Sequence, residues 1–107
     1  MTELSEQEFN KLADETLVRI ERAVESCGID ADVQLKEGGV LEIEFDNGSK
    51  IIVNRHSAAK EIWVAARSGG HHFRYTEGTW RHTRQGTELF AALSGDLSLQ
   101  SGESVSL

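Results

Sequence analysis

The segment VLEIEFDNGSKIIVNRH, residues 40–56, constrains this chain more than any other stretch. Leu41, Ile43 and Phe45 alternate with Glu42, Glu44 and Asp46, the period of a strand with one buried face. Asn47-Gly48 is a strong hairpin signal, so residues 49–56 return antiparallel. A plain two-residue loop would set Lys50 opposite Phe45 and aim the lysine at the core. One extra loop residue with a bulge instead sets Ile51 opposite Phe45 and Val53 opposite Ile43, and this is the expected register. Ile52, Asn54 and His56 then fall on the other face. Such a hairpin has to bury one face of a sheet and can leave the other in water.

The flanking segments supply the cover. Ser5-Glu6-Gln7-Glu8 has the spacing of a capping box. Phe9, Leu12, Ala13, Leu17, Ile20, Ala23 and Val24 then recur in steps of three and four, which predicts a helix over residues 5–27 ended near Gly28. Downstream, EIWVAA at 61–66 reads as a strand with Ile62 and Val64 inward and Trp63 outward. A turn is expected at Gly69-Gly70, then a strand over 71–75, a turn at Thr76-Glu77-Gly78 and a strand over 79–83. Thr87 is placed to cap a second helix carrying Leu89, Phe90, Leu93 and Leu97. The Ser-rich end, LSLQSGESVSL, is expected to pack loosely or fray. Short loops between successive strands imply an antiparallel meander. The expected fold is therefore α+β: a single domain over residues 1–107, a two-layer α/β sandwich. Its N- and C-terminal helices pack on one face of an antiparallel sheet of five or more strands.

The bulk properties narrow the function. The net charge of −7 is uneven: residues 1–46 hold 13 acidic and 4 basic side chains, residues 47–107 hold 5 and 7. The acidic half repels nucleic acid and suits cations or a basic protein surface, although an acidic face also simply keeps a small protein soluble. No apolar run approaches the ~20 residues that span a bilayer, and the acidic N-terminus has no apolar secretory core. The single cysteine, Cys27, forms no internal disulfide and fits a reducing cytoplasm. No acid or histidine is placed beside it by any motif, so it reads as a packing residue rather than a nucleophile.

Two sets of residues stand out as candidate sites. At about 100° per residue, Asp14, Glu21 and Glu25 fall within roughly 40° of one another on the first helix, with Glu8 and Glu15 on another flank. By itself such a stripe is also what a solvated helix face looks like. The second set is on the outer sheet face, where Asn54, His56, Trp63 and His72 fall together. An exposed indole is a good interface anchor, unless Arg67 or Arg74 covers its ring. Strand periodicity also separates the histidines of SGGHHFRY, residues 68–75. His71 goes with Phe73 and Tyr75 toward the helices, and His72 goes with Trp63, so the pair cannot converge on one ion. Trp80 reads as core.

GGVLEIEFDNGSKIIVNR followed by EIWVAARSGGHHFRY, then a Trp strand and a terminal helix, resembles the frataxin family over nearly the whole chain. It is most similar to the bacterial frataxin-like proteins. The resemblance implies weak binding of iron, Fe2+ or Fe3+, on an acidic ridge of the first helix and first strand edge. The matching positions are Asp14, Glu21, Glu25, Asp30 and Asp32, with Glu15 beside them and Glu42 and Glu44 as acids of the adjoining strand. Carboxylates alone make such a site weak and poorly selective. The resemblance also implies a cysteine desulfurase and an iron–sulfur scaffold protein as partners. Asp14, Glu21 and Glu25 would meet the basic surface, and Asn54, His56, Trp63 and His72 would form the other contact. The function expected is that of a non-enzymatic, cytoplasmic regulator of cluster assembly and iron donor. It is expected to be a monomer, with metal-dependent oligomers as a further state. The alternatives are a ferroxidase-like iron oxidation or storage enzyme and a metal-independent interaction domain. One departure from the family pattern is Glu61, where Gln is usual.

Overall fold

A computed structural model of the chain describes residues 4–107. The first helix, α1 (Glu6–Ser26), starts where the capping box predicts. Ser5 Oγ accepts from the Glu8 amide at 3.1 Å, and Glu8 Oε1 accepts from the Ser5 amide at 3.1 Å. Its stripe of Phe9, Ala13, Leu17, Ile20 and Val24 is buried. Cys27 is the C-cap, and Gly28 follows at φ 84°, a conformation that ends helices and favours glycine.

The sheet has six antiparallel strands in sequential order: β1 (Ala31–Lys36), β2 (Val40–Phe45), β3 (Lys50–His56), β4 (Glu61–Ala66), β5 (Gly69–Thr76) and β6 (Thr79–His82). β1 extends the meander by one strand beyond those read from sequence. It is an edge strand in which only Ala31 and Val33 are partly covered, so its alternation carries little apolar signal.

The expected faces hold, and the expected register shifts by two residues. Ile51 pairs with Ile43 and Val53 with Leu41, so both valine and isoleucine are still buried. The loop is Asp46-Asn47-Gly48: the Gly48 amide donates to Phe45 O at 2.9 Å, and the Phe45 amide donates to Ser49 O at 2.8 Å. Gly48 at φ 85° makes this the three-residue turn with a glycine bulge. The β4–β5 turn is also displaced. It is made by Arg67-Ser68, and Gly69-Gly70 open β5, paired with Ala66 and Ala65.

The second helix, α2 (Leu89–Ser101), is capped by Glu88, not by Thr87. The Glu88 carboxylate accepts from the Phe90 and Ala91 amides, and a negative group there also suits the helix dipole. The chain end is tied rather than frayed. Ser98 Oγ accepts from the Val105 amide and Ser94 Oγ from the Leu107 amide, both at 2.9 Å. Val105 is buried as a result.

Both helices cover the same face. α1 packs on β1–β3 and α2 reaches β6. Between the layers lie Leu41, Ile43, Ile51, Val53, Ile62, Val64, Phe73, Leu89, Leu93 and Leu97, each worth about 1.5–3 kcal/mol on burial. Trp80 joins them, edge-on to Phe9, with its indole N–H donated to Thr16 Oγ1 at 2.9 Å. No helix among the described residues is long and apolar enough to cross a membrane.

Candidate metal ridge and docking face

The fold divides the acids read from sequence. Glu15 and Glu25 are exposed on α1, Glu21 is half-buried there, and Asp30 is exposed just before β1. Asp14 is on the same helix but engaged: Arg55 Nη1 donates to its Oδ2 at 2.9 Å. The Arg55 side chain reaches it by crossing Gly39, where an added Cβ would sit 2.5 Å from Arg55 Cγ.

The strand acids lie on the far side of the sheet. Leu41, Ile43 and Phe45 face the helices, so Glu42 and Glu44 face away, and Asp32 pairs with Glu44 across β1–β2. Glu42 is gripped by two ammonium groups, Lys36 Nζ at 2.5 Å and Lys50 Nζ at 2.8 Å. Hydrogen bonds from Lys36 and then Lys50 bring its carboxyl down to about 2. Asp32 and Glu44 form a like-charge cross-strand pair, mildly unfavourable unless a cation joins them.

The acids of the expected ridge therefore fall on both layers, Glu15, Glu21 and Glu25 on α1 and Asp32, Glu42 and Glu44 on the open face of the sheet. Among the described residues no three His, Cys, Asp or Glu side chains are arranged to hold one metal ion. The donor set fits a hard cation held by one or two carboxylates at a time.

The open face of β3–β5 is better organised. Trp63 pairs with Asn54 on one side and His72 on the other. Its indole is sandwiched between His56, at 3.9 Å between centroids and 13° between planes, and His72, at 4.4 Å and 8°. The four residues grouped from sequence thus meet in one patch. The ring is covered by histidines, not by Arg67 or Arg74.

Glu61, which stood out in the sequence only as a departure from the family pattern that bears on a local polar contact, fixes the stack. The side chain is two residues before Trp63 on the same strand face, and that spacing was the available signal. Glu61 Oε1 accepts the indole N–H at 2.8 Å, and Oε2 accepts from Arg74 Nε at 2.9 Å. His72 Nδ1 is 3.4 Å from Oε1. Burial pushes the Glu61 carboxyl up, but the indole, the Arg74 guanidinium and His72 outweigh it, so the net shift is downward. Trp63 is thereby held at one orientation while still half-exposed.

His71 points the other way, as expected, toward the helix-covered side and His82. Cys27 Sγ donates to Val24 O at 3.1 Å at the end of α1, in keeping with a packing role.

Comparison with known proteins agrees with this fold. The frataxin-like domain family matches residues 2–103. A relative from Dechloromonas aromatica, named iron-sulfur cluster assembly protein CyaY, is 56% identical over 104 residues, covering 97% of this chain and 99% of its own. One of the same name from Cupriavidus taiwanensis is 52% identical over 109 residues, covering 99% and 98%. The solved frataxin of Psychromonas ingrahamii superimposes with a TM-score of 0.88 at 36% identity, covering 96% of this chain and 97% of that one. A trimeric frataxin from Saccharomyces cerevisiae, solved in complex with ferrous iron, aligns at 25% identity with a TM-score of 0.68, covering 96% and 91%. On sequence and fold together, the chain belongs to the frataxin-like family.

Proposed function

We propose that this chain is an accessory protein of iron–sulfur cluster assembly that acts by docking, with no catalysis of its own. The observation that carries the reading is the open sheet face. Trp63, stacked between His56 and His72 and held by Glu61, is a pre-organised aromatic anchor of the kind that dominates protein interfaces. The names of the relatives supply the setting. In it the partners are the cysteine desulfurase and the scaffold protein, and the chain regulates their activity in the cytoplasm. Asn54, His56, Trp63 and His72 form one contact. The exposed acids of α1 orient a basic surface, an effect that salt weakens.

Iron is cargo in this reading. Glu15, Glu21, Glu25, Asp30, Asp32 and Glu44 offer hard oxygen ligands, and a ferrous complex of a yeast relative supports the metal class. Asp14 and Glu42 contribute only when a cation displaces Arg55 or the two lysines. Dispersed carboxylates support weak loading and delivery, and they give no site that would hold iron and oxygen together for oxidation.

The test is a desulfurase-driven cluster assembly assay at varied iron. The chain is expected to change the rate, W63A to abolish that change, and E21K/E25K to weaken it most at low salt. An unchanged rate with the unmodified chain overturns the proposal. A fully active W63A moves the docking face elsewhere.

A further inference from the structure

An unbroken series of hydrogen bonds runs from α2 to the loop after β6. Ser68 Oγ donates to Asp96 Oδ1 at 2.8 Å and lies 3.3 Å from His71 Nε2. His71 Nδ1 lies 3.1 Å from His82 Nε2. His82 Nδ1 in turn lies 3.1 Å from the backbone amides of both Arg84 and Gln85.

The direction of every bond follows from that last pair. Amides only donate, so His82 Nδ1 must carry a lone pair. A neutral His82 then has its proton on Nε2 and donates to His71 Nδ1. His71 in turn has its proton on Nε2 and donates to Ser68, whose hydroxyl donates to Asp96. Every group is matched while both rings are neutral.

A further proton has no place in this series. On His82 Nδ1 it would oppose two amide N–H groups. On His71 Nδ1 it would oppose the Nε2 proton of His82. Shifting that proton onto His82 Nδ1 brings back the first conflict. The same accounting counts against a metal chelate, because Nε2 of His82 becomes a ligand only when its proton moves to Nδ1. The surroundings add to the bias. Burial beside Phe73, edge-on at 5.4 Å, disfavours a charge on His82, as do His71 and Arg84 from the loop and, when it is protonated, His72 from the reverse face of β5. Buried Asp96, from α2, is the opposing charge and acts on His71 through Ser68.

We propose that His71 and His82 form an acid-sensitive latch on the β6–α2 loop: closed while both rings are neutral, and released when the pair takes up one proton. Release frees the Arg84 and Gln85 amides. The anchors that do not titrate, the His82 amide on Thr87 O at 2.8 Å and the Gly86 amide on His82 O at 3.0 Å, keep the loop from detaching altogether.

Ring and amide NMR of the intact chain tests this. At about pH 7.5, both rings are expected to show the Nε2–H tautomer. Between about pH 7.5 and 5.5, the exchange protection of the Arg84 and Gln85 amides is expected to fall about tenfold, as for one histidine of ordinary affinity in the open form. Amides of β2 and β4 should keep theirs. In H82N the side-chain oxygen accepts from the same amides without titrating, so protection should become independent of pH. In H71Q, His82 keeps an acceptor for Nε2–H, and the acid-induced loss should persist in a single-site form. An Nδ1–H tautomer on His82 at neutral pH overturns the proposal. So does titration of either ring with no change at Arg84 and Gln85, or an unaltered pH response in H82N.

Discussion

Replacing Glu61 by Gln separates the electrostatics of the docking face from its shape. The amide keeps an oxygen for the Trp63 indole at nearly the same place, so the stack of His56, Trp63 and His72 should survive. Arg74 loses its anion. Its side chain is 62% exposed, so that ion pair contributes only about 0.2–1 kcal/mol. The indole then donates to a neutral acceptor instead of a charged one, which costs about 0.5–1 kcal/mol more. E61Q should therefore be destabilised by about 1 kcal/mol at neutral pH, or about 4–8 °C in Tm for a domain of this size. The pH dependence sharpens the test. The Glu61 carboxyl is held below its ordinary value of 4.5, so the folded chain binds that proton less tightly than the unfolded one. Its contribution is complete above about 4.5 and is lost as pH falls through the lower folded value. Urea or thermal unfolding of both proteins should show the gap at about pH 7 and show it narrowing as acid protonates the folded carboxyl. Equal stability at neutral pH, or a gap that persists in acid, would refute the account of Glu61.

Three further outcomes follow from the packing. Thr16→Val leaves the Trp80 indole N–H buried with no acceptor and should cost about 1–3 kcal/mol by chemical denaturation, while adding W80F should recover part of the loss. Gly39→Ala puts a Cβ into Arg55 at a residue with φ 75°, so it should lower Tm and remove the Asp14–Arg55 contact, whereas R55M should remove the contact with a smaller loss. K36Q/K50Q frees Glu42 beside Glu44 and Asp32. Its carboxyl should rise from about 2 toward 4.5, and Mn2+-induced broadening should grow at β1 and β2. Unchanged broadening would remove that strand pair from the iron account.

Elements that follow from local periodicity were legible in the sequence. The cap at Ser5, the α1 stripe, the faces of β2–β5 and the split of His71 from His72 needed only spacing and polarity. β1 was not legible, because ADVQLK at a sheet edge buries almost nothing and Asp32 drew attention as an acid. The hairpin showed its parity but not its register, because shifts of two residues bury the same set. Gly69-Gly70 read as a turn, but Arg67-Ser68 make it and the glycines sit in the strand. The Ser-rich end looked loose because hydroxyls count as polar. Here Ser94 and Ser98 bond back to carbonyls one turn earlier and also accept the Leu107 and Val105 amides. The candidate site shows the same division. Acid positions were readable, but the guards on Asp14 and Glu42 come from Arg55, Lys36 and Lys50, which arrive through tertiary and cross-strand pairing.

The strictly sequential order of the sheet also sets how the chain can assemble during synthesis. Each new strand emerges next to the one it must pair with, so the sheet can lengthen hairpin by hairpin from β1. By His56 the ribosome has released the three strands that α1 covers, although Trp80, which packs against Phe9 and Thr16, comes later. The last partner is different. β6 lacks the part of its cover that α2 supplies until that helix, the last element in the order, has left the exit tunnel. Truncations that remove Leu93 and Leu97 should therefore stall the protein as a half-covered sheet, whereas cuts after Ser101 should cost only the strap of Val105 and Leu107.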